Sequence, residues 1–174
     1  GSVYTVEEMK AISDFCRSRK LIIHLDGARI FNALEFLGKT PAHLAGIFDS
    51  VSVCISKGLG APAGSVLAGT KEMIKKARKI RKVMGGGMRQ SGLLAAACVY
   101  ALDNNISRLA EDHRKARMLA QTLESCAWVK QVLPAETNIV IFEVEDAAKT
   151  ATQLAEKGIR TSPFSPTLVR MVTH

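Results

Sequence analysis

Two groups able to do chemistry stand at the ends of apolar runs. "LIIHL" over 21–25 leads into Asp26 and Gly27, and "DSVSVCIS" over 49–56 leads into Lys57. Each run reads as a strand, so each polar group falls at a carboxyl end, where open α/β sheets place their ligand sites. Asp26 is either the N-cap of the next helix or a carboxylate answering a cation, since an unpaired buried carboxylate costs several kcal/mol. Arg29, three residues on, can be that cation or can face outward and hold an anion. Lys57 is either a surface cation or an amine stripped of water, which loses proton affinity and becomes a nucleophile for Schiff-base chemistry. Gly58, Gly60 and Gly64 behind it let the backbone approach a ligand closely. The pair offers an imine-forming amine and a carboxylate for one pocket.

Other motifs are weaker. "GLGAPAG" is not a dinucleotide fingerprint: its second and third glycines are four apart, and the residues after it read as a strand. "GGGMRQSG" over 85–92 puts Arg89 just before a helix, either as part of an anion-binding nest or as an exposed arginine on a flexible hinge. "KEMIKKARKIRK" carries seven cations in twelve residues without interleaved aromatics, so a solvated helix face fits it better than a nucleic-acid patch. His24, His43, His113 and His174 lack metal-ligand spacing, and no metal is expected.

The elements that must position these groups are set by local signals. A Thr-x-x-Glu capping box (Thr5, Glu8) opens a helix to about residue 19. Strands at 21–25, 49–56 and "SVLAGT" 65–70 are separated by a helix near 28–37 ending at Gly38, a short helix at 41–46 and the glycine corner. Next come a basic helix over 71–84, "LLAAACVYALD" as a compact buried helix, and a long amphipathic helix over 106–127. Then "WVKQVLP", "TNIVIFEV", a helix at 146–157 and "VRMVTH" make a small α/β unit. Near-continuous apolar strands in front predict a sheet covered on both faces. The boundary falls between residues 105 and 106.

Composition sets limits. The chain has 174 residues, 47% hydrophobic and 23% charged, with a net charge of +8, a balance that suits anionic ligands or solubility. No run approaches the roughly 18 apolar residues of a membrane span. Cys16, Cys54, Cys98 and Cys126 are scattered and read as buried thiols in a reducing, cytoplasmic setting. Both ends read as cut, predicting a piece of a longer protein.

"HLDGARIFNA" (24–33), "SVSVCISKGLGAPAGSVLAGT" (50–70), "RKVMGGGMRQSGLLAAA" (81–97) and "VRMVTH" (169–174) together resemble the low-specificity L-threonine aldolases, across the whole chain and in order. The resemblance implies an α/β fold: part of the large domain of a pyridoxal-phosphate enzyme of fold type I, a mostly parallel sheet with helices on both faces, followed by a smaller α+β domain. It implies that Lys57 forms the Schiff base with the cofactor aldehyde, and that Asp26 bonds the pyridine nitrogen. It places Arg29 near cofactor and substrate carboxylate, and Arg89 near the cofactor phosphate, across a subunit boundary in some members. By the same resemblance, Arg170 is the arginine that clamps the α-carboxylate. The partners implied are a small amino-acid substrate and further copies in a homodimer or homotetramer, with no nucleic acid and no membrane. The family also carries a preceding stretch that supplies a ring-stacking histidine and phosphate-holding groups; without it, this segment alone is expected to be inactive.

The expected reaction is cleavage of L-threonine, L-allo-threonine and related β-hydroxy-α-amino acids to glycine and an aldehyde. A pyridoxal-phosphate-dependent β-eliminating lyase is the alternative that the same lysine and aspartate serve, and a non-catalytic partner domain is the alternative outside enzymes.

Overall fold

The computed structural model describes residues 2–174. The chain divides into two compact units, one spanning Tyr4–Ser107 and the other Arg108–His174 together with Ser2 and Val3. The sequence placed this division two residues earlier.

The first unit opens with α1 (Val6–Ser18), whose Thr5 and Glu8 form the full reciprocal capping box. The helix closes on Lys20, which adopts a left-handed φ of 56°, with Leu21 N–H donating to Cys16 O at 2.9 Å. This closure corrects the expectation that 21–25 is a strand. Leu21 is spent on ending the helix, Leu21 and Ile22 both stay exposed, and β1 runs instead over His24–Gly27. Helix α2 (Ile30–Leu37) ends, as expected, at Gly38 with φ 62°. A 3-10 turn at Pro41–Leu44 precedes β2 (Ser50–Cys54), and β3 (Ser65–Gly69) comes after the glycine corner. The sheet order is β1-β2-β3, with β1 parallel to β2 and β3 antiparallel to it. Helices α3 (Lys71–Val83) and α4 (Gly92–Asn104) complete the unit.

Three burial expectations fail. Every residue of β3 is exposed, so this sheet is not covered on both faces within the chain. In α4 only Ala101 is buried, while Leu93 is 79% and Tyr100 65% exposed, so the "compact buried helix" lies open. Composition made α4 look like core, but burial depends on what packs against it. The four cysteines are free and half-buried rather than buried.

The second unit is better closed. It contains α5 (Leu109–Glu124), β4 (Gln131–Val132), β5 (Ile139–Glu143), α6 (Ala147–Glu156), β6 (Ser162–Pro163) and β7 (Leu168–Val172). The strands form an antiparallel sheet in the order β4-β5-β7-β6. Strand β6 escapes sequence reading because two residues carry no periodicity. One sheet face packs Val140, Phe142, Val169 and Met171 against Ala116, Ala120 and Leu123 of α5 and Ala147 of α6. Phe142 is fully buried and meets Trp128 edge-to-face at 6.0 Å between ring centroids. No described helix is long and apolar enough to cross a membrane.

Candidate active site

Because β1 and β2 are parallel, their carboxyl ends point the same way. Asp26 is level with Ser52 across the ladder, and neighbouring strands lie about 4.8 Å apart. Lys57 comes five residues after Ser52, at most about 17 Å further along the chain, and less once the backbone turns. Asp26, near the end of β1, and Lys57, three residues past the end of β2, therefore both lie toward the carboxyl ends of adjacent parallel strands.

The loop that carries Lys57 is tightly built. Gly60 N–H donates to Lys57 O at 2.9 Å, and Gly60 takes φ 74°, a conformation few other residues adopt cheaply. Ile55 N–H donates to Gly64 O at 3.0 Å, and Ala61 N–H to Ile55 O at 3.2 Å, so the loop is clamped at its base. Helix α4 supports it from outside: Asn105 Nδ2 donates to Leu59 O at 2.8 Å. A Cβ at Gly64 would come within 2.8 Å of Cys98 Sγ, so a glycine is needed there for α4 to approach. Sequence reading missed Asn105 and Cys98, because nothing local ties a helix residue to a loop more than thirty positions away.

The alternatives left open for Asp26 now divide. Its Oδ1 accepts from Ala28 N–H at 3.1 Å, a local turn, while the N-cap position of α2 belongs to Arg29, which makes no side-chain capping bond. Asp26 is therefore not the helix cap, and it is exposed. Its neighbour on the same strand face, His24, shares a hydrogen bond with Ser50 Oγ at 2.8 Å. Lys57 is exposed as well, which corrects the expectation of a desolvated amine: no described residue strips it of water.

Arg29 is half-buried beside Asp26 in sequence. Arg89 lies on the exposed loop between α3 and α4. There the N–H groups of Gly85, Gly86 and Met88 already donate to Lys82 O, Arg81 O and Gly86 O, so those three amides are not available to cradle an anion. Arg170 belongs to the second unit, on β7, where its Nε is buried without a hydrogen-bond partner among the described residues. An orphaned guanidinium N–H is a donor awaiting an acceptor.

Comparison with known proteins agrees with this architecture. An aspartate aminotransferase of Thermotoga maritima superposes with a TM-score of 0.72 at 17% identity, covering 99% of this chain and 48% of that one, which defines the fold as that α/β class. A beta-eliminating lyase family model matches residues 1–147, and the chain belongs to that family. It is 43% identical over 176 residues to the low specificity L-threonine aldolase of Escherichia coli K12, covering 100% of this chain and 52% of the relative. A threonine aldolase of Leishmania major superposes with a TM-score of 0.80 at 26% identity, covering 99% of this chain and 52% of that one. The chain spans about half the length of the curated relatives it matches.

Proposed function

We propose that this chain carries the cofactor-attaching part of a pyridoxal-phosphate-dependent carbon–carbon lyase. The substrates are L-threonine, L-allo-threonine and related β-hydroxy-α-amino acids, and the products are glycine and an aldehyde. The observation that carries this reading is the arrangement of an exposed carboxylate and an exposed primary amine at one edge of parallel strands, in a chain 43% identical to a low specificity L-threonine aldolase.

The residues fit the group. Lys57 Nζ is the primary amine that would hold the cofactor aldehyde. Asp26 would offer the pyridine nitrogen a carboxylate, which favours its protonated form. When bound, pyridoxal phosphate supplies an electron sink for negative charge at the substrate Cα. Arg29 and Arg89 contribute positive charge for phosphate and carboxylate, and Arg170 offers a planar fork for the α-carboxylate, where a lysine would offer only a point charge.

Such chemistry needs a site shielded from water, which strengthens every electrostatic interaction within it. With Asp26 and Lys57 both exposed, this chain by itself is expected to turn over no threonine.

Borohydride reduction of the protein with pyridoxal phosphate, followed by peptide mapping, tests the attachment. The label should fall on Lys57 and disappear in Lys57→Ala. Extended to the length of its relatives, the protein should then release glycine and acetaldehyde from L-threonine. No label at Lys57 would overturn the assignment. Labelling with 2-oxobutanoate and ammonia as the products from L-threonine would favour β-elimination, the second reading, which the family description supports.

A further inference from the structure

Arg170 is level with Ile141 on β5 and with Ser162 on β6. Strand alternation puts these three on one face of the sheet, opposite Val169 and Met171 in the core. No described carboxylate forms a salt bridge with Arg170, and its Nε stays without a partner. What the guanidinium does meet is an aromatic ring: its Cζ lies 5.9 Å from the centroid of Phe164.

Phe164 is 59% exposed, so its ring is not part of the unit's core. The backbone nonetheless holds it firmly. Phe164 N–H donates to Leu168 O at 2.7 Å and Ser165 N–H to the same oxygen at 3.3 Å. Ser165 Oγ accepts from Leu168 N–H at 3.0 Å and Thr167 N–H at 3.4 Å. The hairpin loop between β6 and β7 is therefore pinned, and its first side chain is presented to the arginine.

The chemistry of the pair is selective. A carboxylate neighbour would orient a guanidinium but would also occupy its N–H groups and cancel its charge. An aromatic face attracts the cation without accepting its in-plane hydrogen bonds. We propose that Phe164 is a positioning residue for Arg170: it holds the guanidinium plane so that Nε–H and a terminal N–H stay free, side by side, for the carboxylate of an amino-acid ligand. The inference rests on the reading of Arg170 as the carboxylate-binding arginine, and it adds the residue that makes its fork ready in advance.

The test tracks the Arg170 Nε–H resonance by NMR in the whole chain, assigned by its loss in Arg170→Lys. Without ligand, Phe164→Leu should shift that resonance by removing the ring above it, and Phe164→Tyr should leave it nearly in place. Glycine and acetate are the titrated probes. Both should move the wild-type signal, and Phe164→Leu should bind them about two- to five-fold more weakly, with Phe164→Tyr restoring the affinity. If Phe164→Leu titrates like the wild type, the positioning role is overturned and Arg170 keeps its own. If neither probe moves the wild-type signal, the carboxylate reading of Arg170 falls and this inference with it. Because Phe164 lies outside the core, Phe164→Leu should fold, and an unchanged circular dichroism spectrum checks this.

Discussion

Gly27, between Asp26 and Ala28, is where the site is most sensitive to a single methyl group. A Cβ built on Gly27 would stand 2.7 Å from the backbone oxygen of Ser52, 3.3 Å from Ile30 Cβ and 3.4 Å from Val51 Cγ1. The first of these neighbours is main chain and cannot rotate away, so β1 and β2 would have to part by several tenths of an ångström. Overpacking of this kind costs about 1–3 kcal/mol. Gly27 does not occupy the left-handed region, so alanine also stiffens the unfolded chain and returns about 0.4–1 kcal/mol. The net loss is about 1–2 kcal/mol, and at a urea dependence of about 2 kcal/mol/M, the middle of the usual range, the midpoint falls by about 0.5–1 M. Gly92→Ala is the matched control: it has open space around the added methyl and an ordinary φ, and should raise stability by about 0.4–1 kcal/mol. The assay is urea unfolding monitored by circular dichroism. A Gly27→Ala protein that unfolds at the same urea concentration as the wild type, or higher, would refute the argument. It would mean that the strands yield at little cost, and that the spacing of Asp26 from β2 is not held by packing.

Two further outcomes test the frame around the site. The Thr5 backbone N–H, at 2.7 Å, and then the Thr5 hydroxyl, at 3.0 Å, hold the Glu8 carboxyl below its ordinary value of 4.5. A carboxylate whose folded pKa is depressed supports the fold above its unfolded pKa and loses that support as pH falls through the folded one. Glu8→Ala should therefore unfold at lower urea than wild type at neutral pH, with the two midpoints converging below about pH 4. In the second unit, Phe142→Ala should cost about 3–5 kcal/mol and change the emission of Trp128, whose ring it meets edge-to-face.

What could be read in advance was what neighbours along the chain decide. Thr5 and Glu8 satisfy each other's backbone and side chain within one turn, so the start of α1 was legible. Gly38 takes the left-handed conformation that closes α2 without help from elsewhere. Alternation in "IVIFE" became an alternating burial pattern because a strand's two faces are set by its geometry. The failures came where a partner outside the run itself has the deciding vote. Leu21 looks like a strand residue, yet its N–H bonds back to Cys16 O and spends it on the end of α1. Helix α4 is rich in apolar residues, but hydrophobicity records what a surface favours and not whether another surface meets it.

The same division runs through the candidate site. From the sequence came the residue types, the apolar runs that end in Asp26 and Lys57, and the glycines that let the backbone bend behind the lysine. Tertiary structure alone supplied the parallel register that puts carboxylate and amine at one edge, the grip of Asn105 on the lysine loop, and the ring of Phe164 over Arg170. The reason is physical: conformational preferences act over a few residues, whereas the approach of two functional groups depends on chain segments meeting across tens of positions, which only the packed fold determines.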